Sequence, residues 1–161
     1  MNGKPRRTSQ MPTTKRKKPT LNLPEIQPGN WRGEILGSCT LSFGQVVQPG
    51  PPRRSVEFTY MIMPGALTMP EARFTWPGVI MIMTPTPMKT EVPDAGRLFR
   101  TEHFPSLNLS LEVTRGQFSD MLRMLEAKRL TDFHFTLEDE AEDSWPIYSW
   151  GMSAALLNAM R

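Results

Sequence analysis

In 161 residues the chain has one cysteine, Cys39, and two histidines, His103 and His134. A lone thiol excludes an intrachain disulfide, so the fold has no covalent staple and secretion gains no support. Neither histidine lies in H-E-x-x-H, and neither is spaced from Cys39 as zinc ligands are, so no metal is expected. The chain also lacks G-x-S-x-G, the P-loop and the dinucleotide fingerprint, so no cofactor is expected either. RNP-type motifs, zinc-finger spacing and a helix-turn-helix pattern are missing from the body. No apolar run approaches a membrane span, and no apolar signal core follows the N-terminus. These absences make a soluble, cytoplasmic protein the expectation, or a nuclear one in a nucleated cell.

Acid is missing from one place only. Residues 1–20 carry Lys4, Arg6, Arg7, Lys15, Arg16, Lys17 and Lys18 with no acidic partner, leaving twelve basic against sixteen acidic residues in the rest. The net charge of +3 is therefore a strongly basic arm on a mildly acidic body. With Met1 and Met11 as its only large apolar side chains, the arm cannot offset the entropy of ordering and reads as disordered. A cationic arm neutralises phosphates without reading bases, so nucleic acid or another polyanion is its expected partner. The bland alternative is a tail that aids solubility or carries an address.

Residues 21–161 suffice for one β-rich domain that buries roughly two-thirds of its unfolded surface. Twelve of the sixteen prolines fall between residues 20 and 105, and only Pro146 falls later. Short strands broken by Pro/Gly turns imply a sandwich or a partly open barrel, with α+β as the alternative. Ile35–Val47 reads as one strand, Ser55–Met63 as another, Ala72–Trp76 and Val79–Met83 as a pair around Pro77-Gly78, and Arg97–Thr101 as a short one.

The clearest periodicity is in Ser106–Glu138. Leu107, Leu109, Leu111 and Val113 alternate with polar residues, as in a half-buried strand. Thr114 and Gln117 fit a capping box, and Phe118, Met121, Leu122 and Leu125 then form one apolar helical face. Phe133, Phe135 and Leu137 resume the alternation. Trp145–Met152 closes the pattern as a strand, and Ser153 is placed to cap a short C-terminal helix over Ala154–Leu157.

Four constellations invite function. Met61, Met63, Met81 and Met83 offer an adaptable interface, or else an ordinary core, and their exposure decides between the two. Trp145, Tyr148 and Trp150 could stack on a sugar or base, but core burial explains them better. Glu138–Asp143 holds five acids in six positions without calcium-loop spacing, and reads as a solvated loop that could attract the basic arm. Cys39 alternates with apolar residues, as a buried structural thiol does.

The reading that follows is a non-enzymatic binding or assembly module, β-rich, with a basic arm for a polyanion and a protein partner or self-association for the body. One alternative is a protein-interaction or inhibitor module with a solubilising tail. Another is a small enzyme with a dispersed site, which requires a pocket placing His103 or His134 beside a carboxylate.

Overall fold

A computed structural model describes residues 22–70, 74–87 and 89–155. The seven basic residues of the arm lie outside the described residues, as do Leu156 and Leu157.

The strands are β1 (Gly29–Ile35), β2 (Thr40–Gln48), β3 (Arg54–Thr68), β4 (Thr75–Pro85), β5 (Gly96–Arg100), β6 (Leu107–Val113), β7 (Leu130–Leu137) and β8 (Ser144–Ala154). One helix, α1 (Arg115–Glu126), joins β6 to β7. The sheet runs β1-β7-β8-β5-β6-β4-β3-β2, and β1 also pairs with β3. That extra pairing closes seven strands into a barrel and leaves β2 outside the ring. The expected β-rich class holds, in its barrel form. No helix among the described residues is long and apolar enough to cross a membrane.

Alternation explains the interior. Trp31, Leu98, Leu107, Leu109, Leu111, Phe133 and Phe135 are at most 1% exposed, and Trp31 stacks on Phe135 at 5.9 Å. The four methionines join this core. Met61 stands opposite Met83 and Met63 opposite Met81, all at most 1% exposed, so they form no surface interface. Their flexible thioethers pack into the core along β3 and β4.

The helix begins as expected. Thr114 accepts the Gln117 N–H at 3.2 Å, while the Gln117 side chain accepts the Thr114 N–H at 2.9 Å, completing the box. Phe118 and Met121 turn inward and seat α1 against the barrel. The helix thus both returns the chain to the same sheet and covers one of its ends.

Four expectations need correcting. Ile35–Val47 is two strands, because Gly37 takes φ +84 and the Leu36 N–H bonds to the Pro64 carbonyl, which breaks the run at Leu36–Cys39. Conversely, Pro77-Gly78 does not separate two strands. β4 runs through it, and the β3–β4 register shifts between Gly65 and Leu67, so the dipeptide forms a bulge with Gly78 at φ +69. In β8 the register shifts between Leu137 opposite Ile147 and Thr136 opposite Ser149. The extra residue is Tyr148, which is 73% exposed and not core, whereas Trp150 and Met152 pack on the core. Finally, Ser153 and Ala154 belong to β8, opposite Asp132 and Leu130, so Ser153 caps no helix.

The pairings give the barrel two distinct ends. Gly29 stands opposite Leu137, and Thr68 opposite both Arg32 and Thr75, so the start of β1, the end of β3 and the β7–β8 loop share one end. The β2–β3 turn leaves from the other end, where α1 begins.

Candidate functional site

β3 is fifteen residues long, yet only part of it belongs to the barrel. From Met61 onward it has β4 on one side, and from Gly65 onward β1 on the other. From Arg54 to Tyr60 its only strand partner among the described residues is β2, in register from Gln48 opposite Arg54 to Ser42 opposite Tyr60. The result is a two-stranded ribbon that projects past the wall. Its turn, residues 49–53, holds Pro49, Gly50, Pro51 and Pro52, none of which extends a ladder well.

Residues directly opposite each other share a face. One face of the ribbon continues the barrel interior with Leu41, Phe43 and Val47; the other continues the outer wall with Val46, Val56, Phe58 and Tyr60. Both faces therefore carry apolar side chains, interleaved with Gln45, Ser55, Glu57 and Thr59 on the first and Thr40, Ser42 and Arg54 on the second. Phe43 is 74% exposed, Val47 58%, Val46 52%, Leu41 43%, Phe58 41% and Val56 37%. These are six of the ten large apolar side chains that are exposed among the described residues, gathered on one element. Phe58 lies over Gly44, where a Cβ would come within 2.8 Å of its ring, and stacks on Tyr60 at 6.0 Å. The glycine thus gives the ring its seat.

A two-stranded ribbon in water is at best marginally stable by itself. The six side chains expose on the order of 500 Å² together, divided between the ribbon's two faces. The two edges of the ribbon also differ. The β3 edge carries Arg54 and Glu57, and near its base Glu57 and Thr59 share a cleft with Arg115, Phe118 and Ser119 of α1. The β2 edge, Thr40–Gln48, has nine residues without a charge or a proline. Edge strands are normally guarded by those residue types. This one is unguarded.

The sequence did not single out these residues. The signal was present in TLSFGQVVQ, where apolar side chains occupy both parities without a single charge. A strand in a closed wall reads the same way, so only the pairing shows that this stretch lies outside one.

The other candidates sit elsewhere. His134 Nδ1 lies 2.7 Å from Asp132 Oδ2 on the outer face of β7, with Arg32 across from it on β1. This is the histidine–carboxylate pair that the enzyme reading requires. It lines a shallow cleft with Asn30, Trp31 and Phe135, and that lining supplies no hydroxyl or thiol nucleophile. Beside it Ser149, Thr136 and Asn30 form a hydrogen-bonded row at 3.3 and 2.8 Å, so the whole patch reads as a polar ladder across three strands. His103 is exposed in the β5–β6 loop and takes no part in this patch. No group of three or more His, Cys, Asp or Glu among the described residues could hold a metal. Cys39 is half-buried, and burial raises its thiol pKa, which makes it a poor nucleophile.

The acidic stretch forms the β7–β8 loop. A bridge between Ala141 and Ser144 closes a tight turn with Glu142 and Asp143 at φ 54 and 59. Arg97 lies near it, bonding Asp94 Oδ2 at 3.1 Å and Ser144 Oγ at 2.7 Å, with Glu142 at 3.9 Å. Because Gly29 pairs with Leu137, the chain leading in from the basic arm enters beside this loop.

The chain matches no protein-family model, no curated protein and no solved structure. Its function has to be read from its own surface.

Proposed function

We propose that this protein is a non-enzymatic binding or assembly module. The β2–β3 ribbon is its protein contact. The arm residues Lys4, Arg6, Arg7, Lys15, Arg16, Lys17 and Lys18 are its contact with nucleic acid or another polyanion. The observation that carries this reading is the ribbon, which bears apolar side chains on both faces and is unguarded along one edge. Such surface is costly in water unless something covers it. Among the described residues, the His134–Asp132 pair is solvent-facing and its cleft lining supplies no hydroxyl or thiol.

The arm is tested with labelled oligonucleotides and the full chain across a salt series. Seven phosphate contacts predict a log-affinity slope of about −5 on single strands and about −6 on duplex. The full-length variant K15A/R16A/K17A/K18A should reduce the single-strand slope to about −2. Binding that ignores both salt and this variant would remove the arm from the proposal. The ribbon has its own test below.

A further inference from the structure

We infer that the ribbon's partner is a second copy of this chain, paired antiparallel β2 to β2 about a twofold axis through Gly44. This rests on the ribbon being the protein contact, and it adds what occupies it. Three observations converge.

The first is the strand's self-complementarity. With Gly44 facing Gly44 of the second copy, Leu41 of each chain falls opposite Val47 of the other, and Phe43 opposite Gln45. Phe43 and Val47 are then diagonal neighbours across the seam, within reach of an aromatic ring. Leu41, Phe43 and Val47 from both copies make one apolar cluster on a single face. On the other face each Phe58 already lies over its own Gly44, and the paired glycines leave the seam flat beneath both rings. A one-residue slip would put the two copies' clusters on opposite faces, and centring on Gly44 is what sets Leu41 opposite Val47.

The second is charge and placement. Homotypic antiparallel pairing brings like residues near each other, and a charge in the strand would repel itself. Thr40–Gln48 has none, whereas the β3 edge carries Arg54 and Glu57. The two Arg53-Arg54 tips end up at opposite ends of the four-stranded ribbon, roughly 25–30 Å apart. Of the exposed apolar side chains, Leu41, Phe43, Val46 and Val47 of β2 flank the seam, while Val56 and Phe58 of β3 stand one strand away from it.

The third is the landing place. Because each ribbon leaves its barrel at Thr40, antiparallel pairing sends the tip of one copy toward the base of the other. Beyond Thr40 that edge continues past Leu36, 46% exposed, to the end of β1. There β1 and β7 stop pairing after Gly33 opposite Phe133. A cleft of about 390 Å³ opens at this point beneath the end of α1, lined among others by Glu34, Ile35, Leu125, Lys128, Leu130 and Asp132. It offers apolar walls to the incoming Pro49–Pro52 turn, and the carboxylates of Glu34 and Asp132 to the incoming Arg53 and Arg54. Lys128 is the one opposing charge among these residues. The unguarded edge thus leads toward this cleft.

Sedimentation of the full chain across a concentration series tests this. The expected result is a monomer–dimer equilibrium that F43K weakens by about tenfold or more, with an unchanged thermal transition at concentrations where both chains are monomeric, because Phe43 is exposed. The register is tested by opposed charges. L41K/V47K should be monomeric, whereas L41K/V47E should recover the dimer, since each position faces the other across the axis. A chain that stays monomeric at every concentration overturns the second copy as occupant and leaves the polyanion-binding arm, read by its salt slope, standing. A dimer indifferent to F43K and to both double variants overturns the ribbon as the contact, and the proposed function's protein-binding half with it. A dimer broken by F43K that L41K/V47E does not restore overturns the Gly44-centred register.

Discussion

β3 passes through two environments with one apolar vocabulary. From Met61 to Thr68 it alternates apolar side chains inside a wall with neighbours on both sides, and Met61, Met63 and Leu67 are almost fully buried. From Arg54 to Tyr60 it goes on alternating, but its apolar residues Val56, Phe58 and Tyr60 take the opposite parity, the one that continues the outer wall. The same vocabulary is core in one half and exposed surface in the other. What differs is the parity of the apolar residues and the number of neighbouring strands.

The comparison can be broken most sharply with one aromatic from each region. Trp31 is fully buried on Phe135, so Trp31→Ala should cost about 3–5 kcal/mol in urea unfolding. Phe43→Ala, measured where the chain is monomeric, should change stability by no more than about 0.5 kcal/mol. Equal losses would mean that the ribbon folds as part of the core.

Glycines sharpen the contrast next. A Cβ on Gly65 would meet the Glu34 carbonyl and the Met81 methyl where β1 joins β3, and backbone cannot swing aside. Gly65→Ala should cost about 2–3 kcal/mol. A Cβ on Gly44 would meet only the Phe58 ring, which can rotate into solvent, so Gly44→Ala should cost less than about 1 kcal/mol. Thr114→Ala, removing the cap of the helix that covers the ribbon-side end of the barrel, should cost about 1 kcal/mol in the same assay.

The smallest effect lies at the joint between the regions. Burial holds the thiol of Cys39 above its ordinary value of 9.0, so the folded state disfavours the thiolate. Its stabilising contribution is complete below the unfolded thiol's pKa and is lost as pH rises through the folded one. Unfolding midpoints should therefore decline slightly in the alkaline range, and Cys39→Ala should flatten that decline. An identical decline in the variant would assign it to other groups.

Where local chemistry decides, the sequence was legible. The capping box at Thr114 and Gln117, the face of Phe118 and Met121, and the alternation on either side all needed only near neighbours. What could not be read was set by partners far along the chain. Pro77-Gly78 looks like a turn until β3 is seen to absorb it as a bulge. Tyr148 looks like core until a register shift against β7 turns it outward. Met61 and Met83 looked equally suited to a surface or an interior, because a flexible thioether suits both. The ribbon was illegible for the same reason: alternation states which face an apolar residue shares, not whether anything covers that face.

The barrel's two ends carry one more consequence. The β7–β8 loop places Glu138, Asp139, Glu140, Glu142 and Asp143 at one pole, while the apolar ribbon leaves from the other. One pole thus gathers the charge, five carboxylates with the chain leading in from the basic arm beside them, while the other is water-averse. Added salt screens the first and should leave the ribbons' attraction intact.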